Sequence, residues 1–115
     1  MLPSQHRIHR RRDFELAVRE GRRASTSLLV GYLATRAEAN QPTQVGFIVS
    51  RSVGGAVIRN QVRRRLRDIV RGRMEQLPAG ALFVIRVLPA AAQAESRVLA
   101  AELDGVLSRL TPGTR

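Results

Sequence analysis

Apolar and polar positions follow two different periods along the chain, and each period marks a different kind of element. From Asp13 to Glu20, Phe14 and Val18 stand one helical turn apart beside Leu16 and Ala17, which predicts a short helix stopped by Gly21. Leu28 to Thr35 alternates with period two, placing Leu28, Val30, Tyr32 and Ala34 on one face and Leu29, Gly31 and Leu33 on the other. That alternation predicts a strand. The polar stretch Arg36 to Thr43, with Asn40 and Pro42, reads as a hairpin-type connection to a second strand, Gln44 to Ser50. This second strand gathers Val45, Phe47 and Val49 on one side.

Ser52-Val53-Gly54-Gly55 breaks the strand, and a long helix is expected from Ala56 to Leu77, ended by Pro78 and Gly80. Ala81 to Leu88 is nearly all apolar, which suits a strand covered on both faces, and Pro89 stops it. Ala90 to Leu110 closes the chain as a helix with a stripe of Val98, Leu99, Leu103, Val106, Leu107 and Leu110. Gly105 is its weak point, and Thr111-Pro112-Gly113 ends it. The order α-β-β-α-β-α, with room for a further strand near Ser25, predicts an α+β fold in the form of a two-layer α/β sandwich. No repeat or linker divides the 115 residues, so a single domain is expected, with residues 1–11 as a flexible basic arm and 111–115 as a tail.

Charge changes the picture. The chain has 20 basic and 9 acidic residues, a net charge of +11. Residues 1–23 hold seven arginines against Asp13, Glu15 and Glu20, and residues 51–73 hold eight against Asp68 alone. The rest of the chain is neutral, so the excess sits in two short segments, the electrostatic footprint of a polyanion partner. Every basic residue is arginine. Arginine is the better bidentate ligand for phosphate, although the codon bias of a GC-rich genome accounts for the choice equally well.

On a helical projection Ile58, Val62, Leu66 and Ile69 share one side, while Asn60, Arg63, Arg64, Arg67 and Arg71 share a solvent-facing arc. Arg59 stands in the first turn, where the helix dipole also favours phosphate, and Arg65 points elsewhere. Like charges one turn apart cost a few tenths of a kcal/mol each. A sequence with only Asp68 to relieve them points to a bound polyanion rather than a merely solvated face.

Other chemistry is sparse. There is no cysteine, so no disulfide or thiolate site. His6 and His9 have no carboxylate partner near in sequence, Asp13 and Glu15 project from different sides of a helix, and no phosphate loop is present. No catalytic or metal-binding residue is therefore expected on this chain. No stretch has the composition of a membrane span or secretory leader, so a cytoplasmic protein without a membrane partner is the simplest expectation. Of the four aromatics, Phe47 and Phe83 lie in apolar strand runs. Phe14 and Tyr32 suit either the core or a stacking surface for unpaired bases.

Residues 45–71, VGFIVSRSVGGAVIRNQVRRRLRDIVR, resemble the signature of the bacterial ribonuclease P protein subunits: a Val-Gly strand, Ser followed by basic residues, Gly-Asn-Ala-Val, and an Arg-Asn-Arg helix with further basic residues. Residues 8–21 (IHRRRDFELAVREG) resemble that family's first helix, and 28–33 (LLVGYL) its first strand. The resemblance implies a left-handed βαβ crossover around the basic helix. It also implies a non-catalytic subunit of an endoribonuclease, paired one to one with a catalytic RNA that removes the 5′ leader of precursor tRNA. Mg²⁺ would be required by the RNA–protein holoenzyme, with no dedicated site on the protein.

By position, the resemblance places Phe14, Val18, Tyr32, Ser50 and Arg51 in a cleft for the single-stranded leader. It turns Arg59, Asn60, Arg63, Arg64, Arg67 and Arg71 toward the catalytic RNA, with Arg7, Arg10, Arg11 and Arg12 as a basic arm. Four departures bear on leader binding. Gln61 takes the third Arg-Asn-Arg position, and Val18 stands where the family often has a second aromatic. Ser52 and Gly55 replace a basic residue and an Asn, and Val87 and Leu88 replace basic residues at the end of the last strand. The alternative expectation is a ribosomal or chaperone-like RNA-binding module without a role in catalysis. A self-sufficient nuclease is disfavoured by the missing acid–base and metal groups.

Overall fold

In the computed structural model, which describes residues 2–36 and 40–111, the chain runs through α1 (Arg11–Glu20), β1 (Arg22–Ser25), β2 (Leu29–Ala34), β3 (Gln44–Ile48), α2 (Ala56–Arg71), β4 (Leu82–Val87) and α3 (Ser96–Leu110). The four strands form one sheet in the order β1-β2-β4-β3. β1 and β2 are antiparallel, as are β2 and β4, whereas β3 and β4 are parallel and joined through α2. The α+β sandwich is as expected, and the strand near Ser25 forms as β1. The connection after β2 is not a hairpin, because β4 inserts between β2 and β3. Arg36 fastens it instead, with Nε donating to Gly80 O at 2.8 Å and Nη1 to Gln44 Oε1 at 3.3 Å.

Alternation along the strands gives the sheet two apolar faces. Leu29, Leu33, Val45, Phe83, Ile85 and Val87 form the larger core with Val62, Leu66 and Val70 of α2 and Leu99, Leu103, Val106, Leu107 and Leu110 of α3. Gly31 lets α3 come close, since a Cβ there would run into Val106. On the other face Val30, Tyr32, Ala34, Leu82 and Val84 pack with Ile8 and Ala17, flanked by Phe14, Leu16 and Val18 of α1. β4 lies centrally with apolar residues to both sides, as its composition predicts, except that Arg86 is exposed.

Helix ends differ from the expectation for local reasons. α2 stops at Arg71 rather than Leu77, because Gly72 closes it and Arg73 turns back. The Arg73 guanidinium donates to Ile69 O at 3.1 Å and to Asp104 at 2.6 and 3.2 Å, pinning the end of α2 to α3. That pairing raises the Arg73 pKa further above its ordinary value. Ala90 begins no helix; Pro89–Gln93 form a 3-10 turn, and α3 starts only at Ser96. Ile58, expected in the core, is 39% exposed in the first turn of α2. Val70 is buried near the helix end.

The arm is docked rather than free. Leu2 and Ile8 are buried, and Arg7 bridges to Val45 in parallel with Ile8 N donating to Val45 O at 2.9 Å. Both histidines hold this arrangement: His6 Nδ1 donates to Thr43 O and His9 Nε2 to Ser4 O, each at 2.9 Å. The tail position Thr111 is described, and its hydroxyl donates to Leu107 O at 2.6 Å; residues 112–115 lie outside the described residues.

Candidate nucleic-acid interface

Burial of Val62, Leu66 and Val70 fixes the rotation of α2 and so decides where its arginines point. Asn60, Arg64 and Arg71 are exposed, and Arg59, Arg63 and Arg67 are partly covered, along the solvent side of the helix. Arg63 Nη1 donates to Asn60 Oδ1 at 2.9 Å, which orders two members of the face. Arg65 turns away toward the carbonyl of Ala94, at 3.5 Å, as its position on the helix predicts. Asn60, Arg63, Arg64 and Arg67 line one shallow pocket together with Asp68.

The docked arm adds a residue to this surface. Because Arg7 is bonded beside Val45, its side chain joins Arg63 and Arg67 in a pocket walled by Ile8, His9, Phe14, Val45, Gly46 and Phe47. No carboxylate lines it. Partial burial, then the charge of Arg7 and that of Arg63, lower the Arg67 pKa from its ordinary value. The Nε atoms of Arg7, Arg59 and Arg67 are shielded from solvent and have no hydrogen-bond partner. Unmet donors and like charges held together are the kind of arrangement that a nearby anion relieves. Arg10, Arg11 and Arg12 are exposed at the start of α1, where Arg11 pairs with Glu15 at 3.3 Å.

A groove lies between α1 and the sheet, lined by Phe14, Glu15, Val18, Arg19 and Ile48. Phe14 rests directly on Gly46, where a Cβ would overlap the ring, so the strand's glycine seats the groove's aromatic. Ser50 and Arg51 are exposed just beyond β3, with Ser50 Oγ and Ser52 Oγ 2.7 Å apart. Tyr32 is placed differently from the other four cleft candidates: at 5% exposure it belongs to the floor, and its ring is covered. Above it the Arg86 guanidinium lies 5.8 Å from the ring centroid.

Arg86 is the residue that the sequence reading missed. It is the one charge in the apolar run of β4, and pairing with Val30 and Ile48 sets it on the groove face. The signal was present, since a charge inside an otherwise doubly covered strand needs an open site. Basic residues were sought at Val87 and Leu88 instead, and Val87 is buried in the larger core on the other face of the sheet.

Among the described residues no three His, Cys, Asp or Glu side chains cluster to hold a metal ion. No helix among them is long and apolar enough to cross a membrane.

A four-stranded mixed sheet with an arginine-faced crossover helix, and an aromatic groove opening beside it, define a small basic α+β protein. Comparison with known proteins identifies the family. The profile of the family described as Ribonuclease P matches residues 2–111. The ribonuclease P protein component of Streptomyces bikiniensis is 50% identical over 120 residues, covering 98% of each chain. That of Acidothermus cellulolyticus is 50% identical over 111 residues, covering 96% of this chain and 92% of its own. The fold is also that of the RNase P protein from Thermotoga maritima, with a TM-score of 0.77 at 24% identity over 90% of this chain and 96% of the other. A Staphylococcus aureus RNase P protein gives a TM-score of 0.81 at 21% identity, over 92% and 97% of the two chains. The chain belongs to the ribonuclease P protein component family.

Proposed function

We propose that this protein, a subunit of ribonuclease P, binds the catalytic RNA through the arginine face of α2 and holds the 5′ leader of precursor tRNA in the groove beneath α1. The observation that carries the reading is the junction of the two surfaces. Arg7, Arg63 and Arg67 share one acid-free pocket with Phe14, so the basic helix and the aromatic groove form a continuous site. Phosphates meet arginine on the helix side, while Phe14, Val18 and Ile48 offer apolar surface to unpaired bases. Arg86 supplies the positive charge of the groove floor that Val87 and Leu88 lack.

The protein's part is binding and orientation. Catalytic RNA and substrate are both polyanions, and a chain of charge +11 between them screens their repulsion. Chemistry is assigned to the RNA, together with the Mg²⁺ it requires, in keeping with a protein whose surfaces are built of arginine and apolar groups. One protein per RNA suits a single arginine face. The alternative, a general RNA-binding module, shares that face but has no use for the groove.

The test is cleavage of a precursor tRNA by a bacterial ribonuclease P RNA at low Mg²⁺, with and without the protein, alongside binding of precursor and mature tRNA. The expected result is faster cleavage and tighter binding of the leader-bearing form. Strong RNA binding with neither effect would leave the general module.

A further inference from the structure

α2 carries arginines on both of its flanks, and the two sets meet different surroundings. On one flank Arg63 and Arg67 turn toward Arg7 of the arm and share its acid-free pocket. Like charges held together repel, which favours rolling this flank away from the arm. The buried anchors Val62, Leu66 and Val70 stand four residues apart in one line, with Ile69 partly packed beside them. A narrow strip of core contacts resists lifting of a helix better than it resists rolling about the helix axis. The other flank, toward α3, carries polar restraints. Arg65 Nη1 reaches Ala94 O at 3.5 Å, just ahead of α3. Beyond the last turn, Arg73 donates from Nε to Asp104 Oδ1 at 2.6 Å and from Nη2 to Asp104 Oδ2 at 3.2 Å. Its Nη1 donates to Ile69 O at 3.1 Å. One guanidinium thus grips the closing turn of α2 and a carboxylate of α3 at once. Its planar fork meets both carboxylate oxygens, and so fixes an angle as well as a distance.

We propose that Arg73 and Asp104 are positioning residues for RNA binding: their ion pair sets the roll of α2 and so keeps Arg63 and Arg67 beside Arg7. This rests on the reading of the α2 face as the surface for the catalytic RNA. Asp104 acts through the placement of those arginines and not by touching RNA. Its substitution separates positioning from plain electrostatics by sign. Asp104→Asn removes a negative charge and leaves the chain one unit more positive than its native +11. If charge alone governed, affinity for a polyanion would rise. Positioning requires it to fall.

The experiment titrates the full-length protein with a bacterial ribonuclease P RNA, at a temperature where thermal melts show every variant folded. Native protein is compared with Asp104→Asn, Asp104→Glu, Arg67→Ala and the double variant of Asp104→Asn with Arg67→Ala. Asp104→Asn is expected to bind roughly two- to fivefold more weakly, the range of an exposed ion pair. Asp104→Glu keeps a carboxylate for Arg73 and should bind close to native. In the Arg67→Ala background Asp104→Asn should cost less, because one residue it places is gone. A pair of purely structural use would lower the melting temperature and leave the affinity of the folded protein unchanged. Folded Asp104→Asn that binds as tightly as native, or more tightly, overturns this inference alone. Equal losses from Asp104→Asn with and without Arg67 overturn it too. Full RNA affinity after joint replacement of Arg59, Arg63, Arg64 and Arg67 by Ala removes the reading of the face, and this inference with it.

Discussion

The Arg86 guanidinium lies over the ring of Tyr32, 5.8 Å from its centroid, and so caps the one tyrosine of the chain at the floor of the groove. A cation over an aromatic face at an exposed site contributes about 0.5–1 kcal/mol. Arg86→Ala should therefore cost no more than ~1 kcal/mol of stability in denaturant melts. It should also weaken binding of leader-bearing substrate while leaving mature tRNA unaffected. Tyr32→Phe keeps the ring and should behave as native in both measurements. Equal loss on both substrates would place Arg86 outside the leader site.

Replacing Arg59, Arg63, Arg64 and Arg67 together by Ala should abolish most affinity for the catalytic RNA. If all four contact phosphate, the slope of log K against log salt falls in magnitude by about 3, taking 0.7–0.9 per phosphate. A salt titration of the fourfold variant checks this. Full affinity retained would sink the assignment of the face.

Arg67 is expected to trade stability for binding. Its folded-state pKa is lowered by burial and by Arg7 and Arg63, so folding disfavours its charged form. For a base the sign is clear: the penalty is present at every pH below the lowered value and lifts only as pH rises through it. Arg67→Gln should thus stabilise the free protein, by roughly 0.2–0.5 kcal/mol on the scale of adjacent like charges. The gain should shrink as salt screens the repulsion, while RNA affinity falls. Thermal melts at two ionic strengths decide it, and a destabilised variant would contradict the account.

Gly46 is required by contact rather than by backbone conformation. A methyl group there would collide with the Phe14 ring and lift α1 from the sheet. Gly46→Ala should cost about 1–3 kcal/mol, the usual penalty of overpacking. Combining it with Phe14→Ala should recover part of that loss, because the colliding ring is gone. A double-mutant cycle measures the coupling.

Gly105 is the opposite case. It lies inside α3, and a Cβ added there meets nothing within 4 Å. Gly105→Ala should raise stability by about 0.5–1 kcal/mol through helix propensity and a less flexible unfolded chain. Cleavage activity should be unchanged.

How much of this was legible beforehand depended on the range of the interactions involved. The arginine arc of α2 follows from helical period, and burial of Val62 and Leu66 turns it outward as their spacing requires. Phe14 and Val18 sharing one wall, and both faces of β4 being covered except at Arg86, follow in the same way. Each of these is a property of neighbours in sequence, which fixed periods bring together.

Other features needed the folded chain. That β4 enters between β2 and β3 depends on long-range pairing, and only this ordering brings Val30 and Ile48 to either side of Arg86. Tyr32 suited either the core or a stacking surface, and the passage of α1 over the sheet decides for burial. Arg7 could be read as one charge of a loose arm. It is the burial of Leu2 and Ile8, and the bond from Ile8 to Val45, that bring it against Arg63 and Arg67. The sequence by itself determined which residues carry charge and which face of each element they occupy. Tertiary structure decided which faces meet, because closing loops across tens of residues is governed by the summed burial of distant apolar groups rather than by any local pattern.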